Sequence, residues 1–152
     1  MIKKLNKISI LLLFVLTNCG YSPIFSINNS NFKILNINLE GEKRINYIIK
    51  NKLNYYKNIK ADRSYKVKIN SKKKKTTLSK DTKGNPNKFN LEIIIVLKLD
   101  DQDNKKIEKR FIKNISYNNL SNKFDLSNYE KNIQENLTQK ISEDIIIYMQ
   151  SL

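Results

Sequence analysis

Phe89-Asn-Leu-Glu-Ile-Ile-Ile-Val-Leu-Lys-Leu99 decides the fold. Phe89, Leu91, Ile93, Ile95, Leu97 and Leu99 fall on one parity, against Asn90, Glu92, Ile94, Val96 and Lys98 on the other. Side chains of an extended chain alternate between faces, so this spacing predicts a strand with one wholly apolar face. Ile94 and Val96 make the second face partly apolar, as expected of a central strand or of one that faces a partner. Downstream, Asp100-Asp-Gln-Asp-Asn104 is a polar turn. Ile107, Phe111, Ile115 and Tyr117 then share one parity on a further strand, with Lys109 and Lys113 interrupting it. These two strands predict an antiparallel hairpin.

Upstream, Asp81-Thr-Lys-Gly-Asn-Pro-Asn87 is dense in turn formers and predicts a loop. Tyr65, Val67 and Ile69 alternate with Lys66, Lys68 and Asn70, the pattern of a half-buried strand. Lys72-Lys-Lys-Lys75 follows, and Thr76-Thr-Leu78 can extend that strand. Ile45, Ile48, Ile49, Leu53 and Tyr56 recur at helical spacing and predict an amphipathic helix over 43–57, with Glu40 and Glu42 favourable near its start. Leu35, Ile37 and Leu39 predict a first strand over 32–39. At the other end, Ile133, Leu137, Ile141, Ile145 and Tyr148 predict a long helix over 128–150. Ser127-x-x-Glu130 has the form of a capping box ahead of it. The order β-α-β-β-β-α predicts an α+β two-layer sandwich, a sheet of about four strands with two helices on one face.

The beginning of the chain has a different character. Lys3, Lys4 and Lys7 precede the apolar run Ile8–Leu16, which is too short to span a bilayer core and has the form of a secretory signal. The single cysteine, Cys19, follows that run directly. Its placement resembles the lipobox of bacterial lipoproteins, although Asn18 stands where that pattern prefers Gly, Ala or Ser. The resemblance implies a signal peptide over 1–18, a lipidated cysteine and tether over 19–31, and one α+β domain over 32–152. Gly20, with no Asp at that second position, is compatible with outer-membrane sorting.

Composition narrows the function. The chain holds 29 basic against 14 acidic residues, a formal charge of +15. That balance favours an anionic partner such as membrane headgroups or a phosphorylated glycolipid, and export argues against nucleic acid. With no histidine, the commonest general base and zinc ligand are missing. With three glycines, none of them clustered, there is no phosphate-cradling loop. No catalytic residues, metal site or cofactor are expected. A single cysteine also rules out an intramolecular disulfide.

Cys19-Gly-Tyr-Ser-Pro-Ile-Phe25, Arg44 on the first predicted helix, Ile115-Ser-Tyr-Asn118 closing the hairpin, and the long helix after Tyr129 together resemble the LPS-assembly lipoprotein family LptE. That family partners the LptD β-barrel. The resemblance covers essentially the whole chain after residue 18. It implies a non-enzymatic, lipid-anchored outer-membrane protein that plugs an LptD-like barrel, assists its assembly and helps deliver lipopolysaccharide to the outer leaflet. Lipopolysaccharide carries phosphates, for which lysine ammonium groups are strong partners. Lys72, Lys73, Lys74, Lys75, Lys80 and Lys83 are therefore the candidate binding residues, as a basic loop at one end of the sheet. The same lysines also read as an ordinary solvated loop in a lysine-rich chain. The alternative function is another lipid-anchored periplasmic binding or pilotin-like module with a different partner. Replacement of Cys19 with Ala is expected to abolish lipidation, read as loss of the acyl mass from the intact protein. A Cys19→Ala protein that still carries acyl chains would overturn the lipobox reading.

Overall fold

The computed structural model describes residues 30–103 and 105–152, so the expected signal peptide, Cys19 and the tether as far as residue 29 lie outside the described residues. Six elements follow one another: β1 (Phe32–Gly41), α1 (Lys43–Asn54), β2 (Arg63–Lys80), β3 (Pro86–Asp100), β4 (Lys106–Asn118) and α2 (Lys123–Ser151). The sheet order is β1-β2-β3-β4, with β1 parallel to β2 and the other pairs antiparallel. The fold is the α+β sandwich expected, with helices against one face only.

Register explains which face that is. Leu39, Ile69 and Leu97 form one cross-strand row, and Ile37, Val67, Leu99 and Ile107 form the next. The odd-numbered residues of β3 from Phe89 to Leu99 are all buried. Ile133, Leu137, Ile141, Ile145 and Met149 of α2 cover the β3–β4 half of this face, and Ile45, Ile49 and Leu53 of α1 cover the β1–β2 half. Each such side chain contributes about 1.5–3 kcal/mol on full burial. Thr138 and Ser142 are buried in the same layer. Each hydroxyl donates to the carbonyl one turn back, at 2.7 and 2.8 Å, so neither is left unsatisfied.

Two expected helix boundaries move, each for a local reason. The first helix stops at Asn54, and Tyr56 belongs instead to the turn. There it stacks on Phe32 with ring centroids 4.9 Å apart, while its carbonyl accepts from Ile34 N at 2.8 Å. The second helix starts at Lys123, because Asn122 caps it by accepting from Phe124 N at 2.9 Å. Ser127 and Glu130 are thus inside the helix and form no capping box. Glu42 is the N-cap residue of α1 without a side-chain cap of its own, and the first turn holds no acid. The cap comes from another strand: Glu42 N donates to Ser71 Oγ at 2.9 Å, and Ser71 Oγ donates to Asn46 Oδ1 at 2.7 Å.

Gly41 makes that arrangement possible. Its φ is +96°, and a β-carbon there would sit 2.0 Å from Ser71 O. β1 therefore leaves the sheet at Ser71, whereas β2 runs on to Lys80. Gly84, in the turn between β2 and β3, also has positive φ but has open space around it. Gly84→Ala should accordingly cost about 1–2 kcal/mol, the penalty of the backbone conformation alone. Gly41→Ala should cost about 3 kcal/mol or more, since the strands must also part. Urea unfolding of both variants checks the order, and equal costs would contradict it.

Candidate functional site: a lysine strand with two faces

The basic segment is not a loop. Lys72, Lys73, Lys74 and Lys75 are consecutive residues of β2, paired with Ile94, Ile93, Glu92 and Leu91 of β3, and Lys80 ends the same strand. Only Lys83 lies in the turn, where its backbone N–H donates to Asp81 Oδ1 at 2.9 Å. Asp81 also accepts from Asn85, and these bonds to its carboxylate hold its pKa below the usual range. Being in a strand splits the cluster, because neighbours point to opposite faces.

Lys73 and Lys75 face the helices. Lys73 Nζ donates to Gln134 Oε1 at 3.1 Å. Lys75 pairs with Glu130 and lies 4.1 Å above the centroid of the Phe89 ring, a cation–π contact. Glu130 also accepts from the Tyr117 hydroxyl at 2.8 Å, and Tyr117 packs edge-on against Tyr129. Lys73, Lys75 and Glu130, with Leu91, Ser127, Lys131 and Gln134, line a cleft of about 210 Å³ between β2 and α2. Farther along, Lys113 pairs with Asp144 at 2.8 Å, and Lys109 reaches over Tyr148. The two lysines that interrupt the parity of β4 are thus on the helix side, with partners from α2.

Lys72 and Lys74 point to the sheet face that no helix covers. Their cross-strand neighbours there were legible only from register. Lys72, Ile94 and Ile112 form one row. Glu40, Asn70, Val96 and Arg110 form the next, and Asn38, Lys68, Lys98 and Glu108 the one beyond. Lys68 pairs with Glu40 at 2.8 Å and Lys98 with Glu108 at 2.9 Å. Lys68 also holds the Glu40 carboxyl below its usual pKa, chiefly by hydrogen bonding. Among the described residues Lys72 and Lys74 form no ion pair. The open face is therefore a short apolar strip, Ile94, Val96 and the 44 % exposed Ile112, with cations on both sides. Sequence reading named Lys72–Lys75, Lys80 and Lys83 but missed Lys68, Lys98 and Arg110. The signal available was the shared parity of residues 66–74.

Among the described residues no group of His, Cys, Asp and Glu is arranged to hold a metal, and no helix is long and apolar enough to cross a membrane. The geometry offers paired and unpaired cations on a rigid sheet, suited to binding anions.

The same arrangement of strands and helices occurs in solved structures of bacterial lipoproteins. The chain is similar to rare lipoprotein B from Shewanella oneidensis, with TM-score 0.61 and 12% identity over 76% of this chain and 94% of that one. A minor lipoprotein from Acinetobacter baumannii matches with TM-score 0.60 and 15% identity, over 78% and 91% of the two chains. Lipoprotein B from Nitrosomonas europaea matches with TM-score 0.57 and 14% identity, over 84% and 88%. At such identities the likeness establishes the fold. No protein-family model and no curated protein sequence matches the chain.

Tyr117 gives this site a measurable signature. Burial, and then the hydrogen bond to Glu130, push its pKa well above the ordinary value of 10.0. The folded state thus holds the phenolic proton more tightly than the unfolded one. That contribution is complete below about pH 10 and is lost as pH rises beyond it. Tyr117→Phe should flatten the fall in stability above about pH 10, measured by urea midpoints across the alkaline range. An unchanged slope would assign the alkaline loss to another group, such as Tyr56, which burial also raises.

Proposed function

We propose that this chain is an outer-membrane lipoprotein, anchored through Cys19, that seats within an LptD-like β-barrel, assists its assembly and helps pass lipopolysaccharide to the outer leaflet. The observation that carries the reading is the fold, which matches most of the length of three bacterial lipoproteins. It is joined to a chain whose single cysteine follows a signal-like run. The role is non-enzymatic. Two further features favour it. A plug needs a rigid body with a surface left for the surrounding wall, and the uncovered sheet face with Ile94, Val96 and Ile112 supplies one. Phosphate contacts need accessible cations without internal partners, a description that fits Lys72 and Lys74, with Lys80 and Lys83 at the hairpin end. Lys73 and Lys75 are engaged by α2 and are left to structural work.

The test has two arms. Tagged full-length protein, purified from detergent-solubilised outer membranes, should bring down one large β-barrel in near-equal amount, identified by mass. Recovery without a barrel overturns the plug reading. Replacing Lys72, Lys74, Lys80 and Lys83 with Gln should weaken lipopolysaccharide binding about tenfold or more, since each exposed charge contact is worth up to about 1 kcal/mol. The same affinity in a folded variant overturns the lysine assignment and leaves the barrel arm standing.

A further inference from the structure

β2 is far longer than the strand beside it. β1 pairs with β2 only from Phe32↔Arg63 to Gly41↔Ser71, whereas β2 continues to Lys80 along β3. From Lys72 onward one edge of β2 is bonded to β3, and the other has no strand beside it. In an antiparallel ladder alternate residues turn their N–H and C=O groups away from the partner. Residues 72–80 therefore present an edge of free backbone donors and acceptors about 30 Å long, at about 3.3 Å per residue, regular as far as Thr77 and shifted in register at Ser79 and Lys80. Among the described residues, no loop supplies backbone bonds to this row. The helix layer does not fold over it either. α1 begins at Lys43, next to Ser71, and runs back along β1, where the turn after it reaches Ile34.

The edge also carries a single sign of charge. Lys72, Lys73, Lys74, Lys75 and Lys80 occur on it without an acid. Lysines on an edge oppose pairing with a second copy of the same strand, because like charges would lie opposite one another. The same residues select an acidic strand. We infer that the β2 edge from Lys72 to Lys80 receives an extended acidic segment of another protein, added to the sheet in line with β1. Backbone bonds hold it, and its carboxylates lie against Lys72 and Lys74 on the open face. On the helix face Lys75 is already matched by Glu130 and Lys73 by Gln134, so the segment's other side chains need no charge there. The inference does not depend on the barrel reading, as it concerns the chemistry of the segment and not its owner.

The probe is an octapeptide alternating Glu and Val, titrated onto the full-length chain in non-ionic detergent, with amide hydrogen exchange as the readout. Alternate amides within 72–77 should slow on binding, while those already bonded to β3 stay unchanged. Two further peptides, N-methylated at the odd or at the even positions, separate backbone pairing from charge. One of the two should lose binding, since the methyl groups remove the donors along the pairing edge. Lys72→Glu combined with Lys74→Glu should lower affinity about tenfold, and a poly-Lys/Val peptide should not bind. Binding that survives both N-methylated forms is attraction to surface charge and overturns the inference. So does protection at the outer edges of β1 or β4 in place of 72–80, and so does failure of the peptide to bind.

Discussion

A contact between two backbones sets the plan of this molecule. At Gly41 the first strand passes so close to Ser71 that no side chain fits between them. Having no side chain there, and a φ that other residues avoid, lets the chain turn out of the sheet at once. The turn places Glu42 and Asn46 against Ser71, whose hydroxyl completes the start of α1. One buried serine thereby fixes where β1 ends, where α1 begins and how much of β2 remains uncovered. The length of the exposed edge is a direct consequence of that crossing.

The second constraint is the placement of charge on a sheet buried on one face. Lys73, Lys75 and Lys113 point toward the helix layer, and α2 meets them with Gln134, Glu130 and Asp144. These pairs are partly solvated and individually weak. Their value is geometric, as they seat α2 at two widely separated rows of the sheet. Glu130 serves twice, for Lys75 and for the Tyr117 hydroxyl. The lysines on the other parity have no helix to answer them, which is why the open face carries a net positive field.

The architecture was legible because the period of two is unbroken where burial demands it, from Phe89 to Leu99 and from Tyr65 to Ile69. Strand order followed from short turns with strong turn chemistry, such as the Asp81–Asn85 turn. The continuation of β2 through Lys72–Lys75 to Thr76–Leu78 was open in the sequence beside a loop reading of the same lysines, since four identical residues have no alternation to read. Their strand identity comes from register with β3, a non-local fact. The start of α2 was misplaced for a similar reason. Ser127 and Glu130 fit a capping motif, but Asn122 offers a cap one turn earlier, ahead of the exposed Phe124. For the site, the lysines were identifiable but their division between faces was not. Cys19 was read from the sequence alone, outside the described residues.

One modest bond has a consequence for the order of events in time. Asn31 Nδ2 donates to Gln150 O at 3.0 Å, tying the approach to β1 to the last turn of the final helix across 119 residues. β2, β3 and β4 are joined by tight turns and can zip locally, whereas β1 must find β2 in parallel, a pairing that needs α1 as its crossover. Loops that close late form late. A chain made from its N-terminus thus produces first the strand that it can secure only last. Until α2 arrives, β1 has its ladder with β2, the Ser71 contact at Gly41 and the stacking of Phe32 on Tyr56, but no helix across the far half of the sheet.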